Sequence, residues 1–361
     1  MDDGWPGTAA AYQDHILPQV SRTFALTIPQ LPSGLRSAVA NAYLLCRIAD
    51  TIEDEPALSP ADKRRFEEEL VEVVTGRRAP APFALEVAAK LSGETLESER
   101  HLMRNLPLVI QITAGFNPAQ RAAIERCLAV MCRGMHHFQQ HAGVHGVATQ
   151  RDMDRYCYYV AGVVGEMLTD LFCDFDPAIA ARRDIIAPLA ISFGQALQMT
   201  NILKDQWEDR ARGACWLPRE VLRRHGVDLA NLEGSRGSAG FAAAMSELVG
   251  VANAHLQRAL NYTLAIPPEQ TGIRRFCLWA LGLAVLTLRN VNRNPGFASG
   301  AEVKVSRAAV ARTIMITNLA VRHDALLRRL FEFTGRDLPF TALELSTSES
   351  LVLPTAQALH V

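Results

Sequence analysis

The chain has 361 residues, 49% of them hydrophobic, enough for a sizeable core in one large domain or two smaller ones, and this sets disorder aside. Its 37 basic and 38 acidic residues leave a formal net charge of −1, so there is no basic field for a phosphate backbone and nucleic acid is not an expected partner. Seven scattered cysteines without paired CxxC spacing read as free thiols in a reducing compartment rather than as a zinc site.

In chain order, the opening stretch "MDDGWPGTAAAYQDH" has neither a basic n-region nor an apolar h-region, so no secretory signal is expected. Strand signals are sparse and helix signals recur. A first helical pattern covers about 34–54. The segment "SPADKRRFEEELVEVV" then offers Ser59 as N-cap, Pro60 in the first turn, and apolar residues at Phe66, Leu70 and Val73 or Val74. Further patterns cover 84–111, 118–141, 151–173, 182–209, 238–264, 270–292 and 306–334, separated by loop-sized breaks such as "TAGFNPAQ" and "AIPPEQTG". The expectation is an all-α protein of about eight to ten helices forming a single domain over 1–361, with its core at about 20–335 and a tail of less certain order beyond. The longest apolar run, Phe276 to Leu288, is shorter than the roughly 20 residues a spanning helix needs, so a cytoplasmic protein without a transmembrane anchor is expected.

Chemistry concentrates in two places. In "CRIADTIEDEP", Asp50 and Asp54 are four apart and share a helix face with Glu53, one turn after Arg47. Glu55 lies off that face, just before Pro56. In "FGQALQMTNILKDQWEDR", Asn201, Asp205 and Asp209 sit at i, i+4 and i+8, with Gln198 a turn earlier, Glu208 adjacent, and Lys204 and Arg210 flanking. The first pattern alone reads more readily as a solvated helix end, and the second alone is a somewhat stronger signal. Two such oxygen-only groups on apolar helices suggest facing ladders that hold Mg²⁺ and ionise a diphosphate. A di-iron carboxylate bundle would ask for Glu-x-x-His pairs, and Glu125, Glu166 and Glu208 are not followed by His three residues later.

Five segments, "SRTFAL", "YLLCRIADTIEDE", "YCYYVAGVVGE", "LQMTNILKDQWEDRARGACWLP" and "VNRNPGFASGAEVKVSR", together resemble the squalene and phytoene synthases, which join two prenyl diphosphates head to head. Within that family the Asn-Pro segment and the length are similar to the squalene synthases rather than to the shorter carotenoid enzymes. The resemblance implies an isoprenoid synthase helical bundle around a central apolar cavity, with farnesyl diphosphate as substrate and Mg²⁺ and NADPH as cofactors. It assigns Asp50, Glu53 and Asp54 to a first metal motif and Asn201, Asp205, Glu208 and Asp209 to a second, with Asp50, Asp54, Asp205 and Asp209 also catalytic. Tyr156 resembles the tyrosine of the first half-reaction, where a ring stabilises a carbocation and the hydroxyl moves a proton. Diphosphate would be held by Arg22, Tyr43, Arg47, Gln198, Lys204 and Arg212, and NADPH by Arg22, Arg47, Lys204, Lys304 and Arg307. Phe24, Phe172 and Phe193, with Gly162 and Gly165, are candidates to line the tunnel.

Three positions depart from the family pattern. Tyr158 stands where many relatives have His, Lys204 where many have Arg, and Ser306 where a basic residue is expected for the cofactor phosphates. Transient contact with a membrane surface is compatible with a water-insoluble product. A carotenoid-type synthase that uses no NADPH is the near alternative, and a non-catalytic helical interaction protein the remote one.

Overall fold

The computed structural model describes residues 5–21, 23–139, 143–343 and 348–352. Among them every regular element is helical, and the β-type pairing present is one isolated parallel bridge between Val147 and Pro218, so the all-α expectation holds. The chain divides into two compact units, one of Met1–Gln140, Glu166–Arg183 and Gln270–Cys277, the other of His141–Gly165, Asp184–Glu269 and Leu278–Val361.

In the first unit the longer helices, in chain order, include α1 (Ala9–Val20), then after the short helical turn Phe24–Thr27 α2 (Ser33–Asp54), α3 (Pro60–Val74), α4 (Pro80–Lys90), α5 (Glu97–Arg104), α6 (Leu106–Ala114) and α7 (Pro118–Gln139). Helix α2 is the pillar, burying Leu35, Val39, Leu45, Ile48 and Ile52 along its length. Buried Asn41 fixes its register, donating to the Val109 carbonyl at 2.9 Å and accepting from the Thr113 hydroxyl at 2.8 Å. Helix α3 starts as its sequence dictates: the Ser59 hydroxyl accepts from the Asp62 N–H, Pro60 leads the first turn, and Phe66, Leu70 and Val73 point into the core.

The helix expected over 84–111 is in fact the three helices α4, α5 and α6. Its first break is drawn toward Glu55, whose carboxylate accepts from the N–H groups of Ala57 and Ser92 and from the Thr95 hydroxyl. Burial pushes the Glu55 carboxyl up, but these hydrogen bonds outweigh it and hold the group below the ordinary range. At the second break Pro107 opens α6, where its missing N–H is harmless.

The second unit contains α8 (Gln150–Cys157), a π-helical segment (Tyr158–Gly162), the first turn of α9 (Val163–Phe175), α10 (Arg183–Ala211), α11 (Arg219–Arg224), α12 (Ala239–Ala265), α13 (Thr271–Arg293, from Leu278), α14 (Arg307–Ala320) and α15 (Asp324–Gly335). The helix expected over 306–334 is thus a hairpin of two, bent where His323 adopts a non-helical φ of −116° and ψ of 88°. With these splits the chain has more and shorter helices than the eight to ten expected. Helices α10 and α13 are long and apolar enough to cross a membrane, but 61% and 67% of their apolar windows are buried within the fold, as in core helices.

Backbone contact without intervening side chains locks α10 to the π segment and α9. A Cβ on Gly194 would land on the Ala161 carbonyl, and one on Gly165 on the Ala190 carbonyl. Beside this contact Phe193 packs on Tyr262 with ring centroids 5.4 Å apart. Buried His255 lies 3.2 Å from the Ser192 hydroxyl, which also accepts from Arg258 at 2.9 Å.

Gly194→Ala is expected to destabilise the protein by about 2 kcal/mol or more, whereas Gly34→Ala, which meets nothing within 4 Å, is neutral; thermal melts compare them. Acid should also loosen this region. Desolvation, with the Arg258 charge adding to it, lowers the His255 pKa from 6.5 to about 3. Below pH 6.5 the unfolded chain therefore takes up a proton that the folded chain refuses, and stability falls as pH drops from 6.5 toward 3. A melting temperature that declines less steeply through this window in His255→Gln is the expected outcome.

Candidate active site

The first acidic ladder forms where α2 runs out of core. Ile48 and Ile52 are still buried while Asp50 and Glu53 are half-buried and Asp54 is exposed, so the same helix carries its carboxylates from the core toward solvent. Burial, together with the charge of Asp54, raises the Asp50 pKa to about 7 against the pull of Arg47. Glu53 is pushed well above the carboxylate range by desolvation and then by Asp54, Asp50 and Glu67. Arg47 lies 3.8 Å from Asp50 and is bonded to Glu99, which outweigh the cost of its own burial and keep it firmly protonated. Glu99, 52 residues downstream on another helix, is a partner that sequence spacing gives no means of finding.

The second ladder lies in the last three turns of α10, an unbroken helix, so Asn201, Asp205 and Asp209 share one face as their spacing requires. Lys204 pairs with Asp205, and Arg212 donates to Asp209 at 2.6 Å. The loop "NPGFASG" covers the ladder from outside the helix. Gly300 donates its N–H to Glu208 at 2.8 Å, and a Cβ there would sit 2.9 Å from the Asp205 carboxylate. The glycine is needed for this close approach, and the link between the two segments was not visible in the sequence. Gln198 is half-buried one turn before Asn201.

Tyr156 is built into the second unit from both sides. A reciprocal cap starts its helix: the Thr149 hydroxyl accepts from the Asp152 N–H at 3.2 Å, and the Asp152 carboxylate accepts from the Thr149 N–H at 3.1 Å. Two residues beyond Tyr156 the helix widens into the π segment, a rare geometry that often marks functional positions. The Tyr156 ring is stacked on Trp216, with centroids 3.6 Å apart and planes 6° from parallel. Trp216 arrives there because the chain leaving α10 is clipped to the loop before α8. Arg210 donates to the Val144 carbonyl at 2.6 Å and the Arg219 N–H to the Val147 carbonyl at 2.9 Å, with Gly146 turning at a φ of +67°. Sequence reading overlooked Trp216; the one available signal was an aromatic residue in the "ACWLP" segment directly after the second ladder.

Of the remaining candidates, Tyr43 donates its hydroxyl to the Val20 carbonyl at 3.0 Å and packs on Phe24, and Phe172 is fully buried against Phe276 in the first unit. Phe193 is buried against Tyr262 in the second. Gly162 and Gly165 lie at the contact with α10, where Gly162 is tight against Tyr158 and Ile191. Lys304 and Arg307 are exposed on either side of Ser306, whose hydroxyl caps α14 by accepting from the Ala309 N–H at 3.2 Å. Arg22 lies outside the described residues.

Among the described residues, no three or more His, Cys, Asp or Glu side chains converge into a preformed metal cage. The donor chemistry nevertheless fits Mg²⁺, a hard cation that takes oxygen ligands and keeps several of its coordination sites for water and phosphate. Asp50 and Glu53 hold protons too tightly for ordinary carboxylates, and a divalent cation relieves that crowding. Lys204 already supplies a positive charge to Asp205.

Trp216→Leu is expected to lower stability by about 1 kcal/mol beyond the apolar area removed and to alter the near-ultraviolet circular dichroism, while Trp216→Phe keeps most of the stack. Unchanged melting and spectra in Trp216→Leu would count against the packing described.

Residues 17–309 match the family model described as squalene/phytoene synthase. The chain is 30% identical over 322 residues to a squalene synthase of Botryococcus braunii, covering 86% of this chain and 63% of that protein. Against the squalene synthase ERG9 of Candida albicans it is 29% identical over 315 residues, covering 83% and 65%. The chain thus spans just under two-thirds of the length of these curated relatives. Among solved structures, TcSQS in complex with the ligand E5700 superposes with a TM-score of 0.73 at 24% identity, covering 95% of each chain. A dehydrosqualene synthase in complex with a ligand gives 0.63 at 22% identity, over 87% of this chain and 96% of its own. Together these establish an all-helical isoprenoid synthase fold. On the extent of the match and the agreement of its motifs, the chain belongs to the squalene/phytoene synthase family.

Proposed function

We propose that the protein is a squalene synthase in which the two units act as one catalytic domain. It would condense two farnesyl diphosphates to presqualene diphosphate and reduce that intermediate to squalene with NADPH. The observation that carries this reading is the pair of oxygen-only ladders, Asp50/Glu53/Asp54 and Asn201/Asp205/Asp209, each at the point where a buried helix meets solvent. Bound there with Glu208, Mg²⁺ would neutralise a diphosphate and make it a leaving group. Arg47, oriented by Glu99, and Lys204, Arg212, Gln198 and Tyr43 are then the groups that hold the departing diphosphate; Arg22 belongs with them by family likeness alone.

Loss of the first diphosphate leaves an allylic cation. The double bond of the second farnesyl chain attacks it, and a proton leaves as the cyclopropane closes. Tyr156 would meet this cation with an electron-rich ring, backed by Trp216, and its hydroxyl is suited to carry the proton away. The aromatic and aliphatic surroundings serve to exclude water, which would quench the cation to an alcohol. The second ionisation and rearrangement would leave a cation for which bound NADPH would supply the hydride. Lys304 and Arg307 suit the cofactor phosphates because both are exposed and cationic beside a helix start, while Ser306 is committed to the cap. A cytoplasmic location with transient contact at the inner membrane face suits a water-insoluble product.

Incubating the purified protein with farnesyl diphosphate and Mg²⁺, with and without NADPH, tests the reading. Squalene that appears only with NADPH is expected; dehydrosqualene under both conditions assigns the protein to the carotenoid branch, and no diphosphate release assigns it no catalysis. Asp50→Asn and Asp205→Asn should each reduce turnover by about 10²-fold or more with unchanged melting. Wild-type rates in either variant would remove the two-ladder assignment.

A further inference from the structure

The hairpin of α14 and α15 carries a surface that the reaction does not use. Its inner side is anchored: Ala320, Val321 and Leu327 join Leu260, Leu264 and Leu278 in one buried cluster, with Leu330 and Phe331 packed against it. Large apolar residues nevertheless stand in solvent on the outer side. Met315 and Leu319, one turn apart on α14, are 58% and 76% exposed; Leu326 and Phe333, seven apart on α15, are 44% and 66% exposed. Such side chains scattered singly need no explanation, but here they recur in pairs at helical spacing on two consecutive helices, the pattern of an interaction face rather than of chance exposure.

The charge around them is predominantly positive. Residues 312–336 contain five arginines (Arg312, Arg322, Arg328, Arg329 and Arg336) against Asp324 and Glu332, in a chain whose net charge is −1. Arg329 falls on the same helical face as Leu326 and Phe333, Arg322 lies exposed in the turn before α15, and Arg336 lies over the Phe333 ring at 4.9 Å. Among the described residues, Arg312, Arg322 and Arg329 make no ion pair. Apolar tips on a hairpin that also carries the unpaired Arg312, Arg322 and Arg329 match a bilayer bearing anionic headgroups, where the tips enter the acyl boundary and the arginines meet lipid phosphates. A second copy of the chain is a poor match, because a two-fold interface would set this arginine-rich surface against itself.

We propose that the outer face of the α14–α15 hairpin docks the protein on anionic membrane surfaces. The inference gives the membrane contact suggested above a defined place, yet it does not rest on the reaction, and its test uses no turnover. Purified protein is sedimented with vesicles of phosphatidylcholine alone or of phosphatidylcholine with phosphatidylglycerol, at low and high salt. The wild type should partition onto the anionic vesicles about tenfold more strongly than onto the neutral ones, and salt should erase the difference. Leu319→Glu/Phe333→Glu and, separately, Arg322→Glu/Arg329→Glu should each lower anionic binding about tenfold or more, with melting temperatures at the wild-type value. Absence of binding to either vesicle overturns the proposal and points to an acidic protein as the occupant. Binding that neither double variant weakens overturns it as well, as does a wild-type dimer in light scattering that Leu319→Glu/Phe333→Glu converts to monomer.

Discussion

The second unit depends on a place where side chains are absent. At Gly165 and Gly194 two backbones meet carbonyl against Cα, and no larger residue fits without moving a helix. That contact fixes the rotation and height of the π segment against α10, and so determines where Tyr156, two residues before the segment, stands relative to the ladder that begins seven residues after Gly194. Gln195 reinforces the alignment by donating to the Asp154 carbonyl at 2.9 Å. A side chain placed in this way, here the tyrosine proposed for catalysis, owes its position to packing set well away from it, as groups on rigid elements do.

Electrostatics supplies the complementary constraint. A carboxylate beside other carboxylates, partly removed from water, is unfavourable unless it takes a proton or finds a cation, and Asp50 and Glu53 are in that condition. Their neighbours offset it only in part. Arg47 divides its charge between Asp50 and Glu99, and Lys63 donates to the Glu53 backbone carbonyl rather than to its carboxylate. Glu55, adjacent in sequence, meets the opposite fate, since hydrogen bonds satisfy it and turn it into a structural tie for the loop after α4. Two consecutive charges, Asp54 and Glu55, thus serve unrelated ends because one lies on the ladder's side of the helix and the other past its last turn.

Helical content, the α3 start at Ser59 and both acidic ladders were legible in the sequence because they are local. Each is a matter of residues within a turn or two of one another, where periodicity and capping rules apply directly. The breaks inside 84–111 and 306–334 were hidden, since both segments keep apolar periodicity across the bend and the cause of the first is a carboxylate about 40 residues away. Trp216 beneath Tyr156, Glu99 beside Arg47 and Gly300 over Glu208 were illegible for the same reason: each joins segments that only tertiary structure brings together. Ser306 looked like a missing cation when read as one position in a motif. In the fold it is a helix cap, so exchanging it for a basic residue would trade the start of α14 for one more charge.

The bridge between Val147 and Pro218 has a dynamic corollary. Because the strap before α8 and the strap after α10 are fastened to each other by the Val147 and Ala148 carbonyls, neither can fray without releasing the other. The aromatic stack and the end of the second ladder therefore belong to one cooperative opening unit. Amide hydrogen exchange in 147–150 and 214–221 should proceed at a common rate, so the Tyr156–Trp216 stack and the end of the second ladder are present together or absent together.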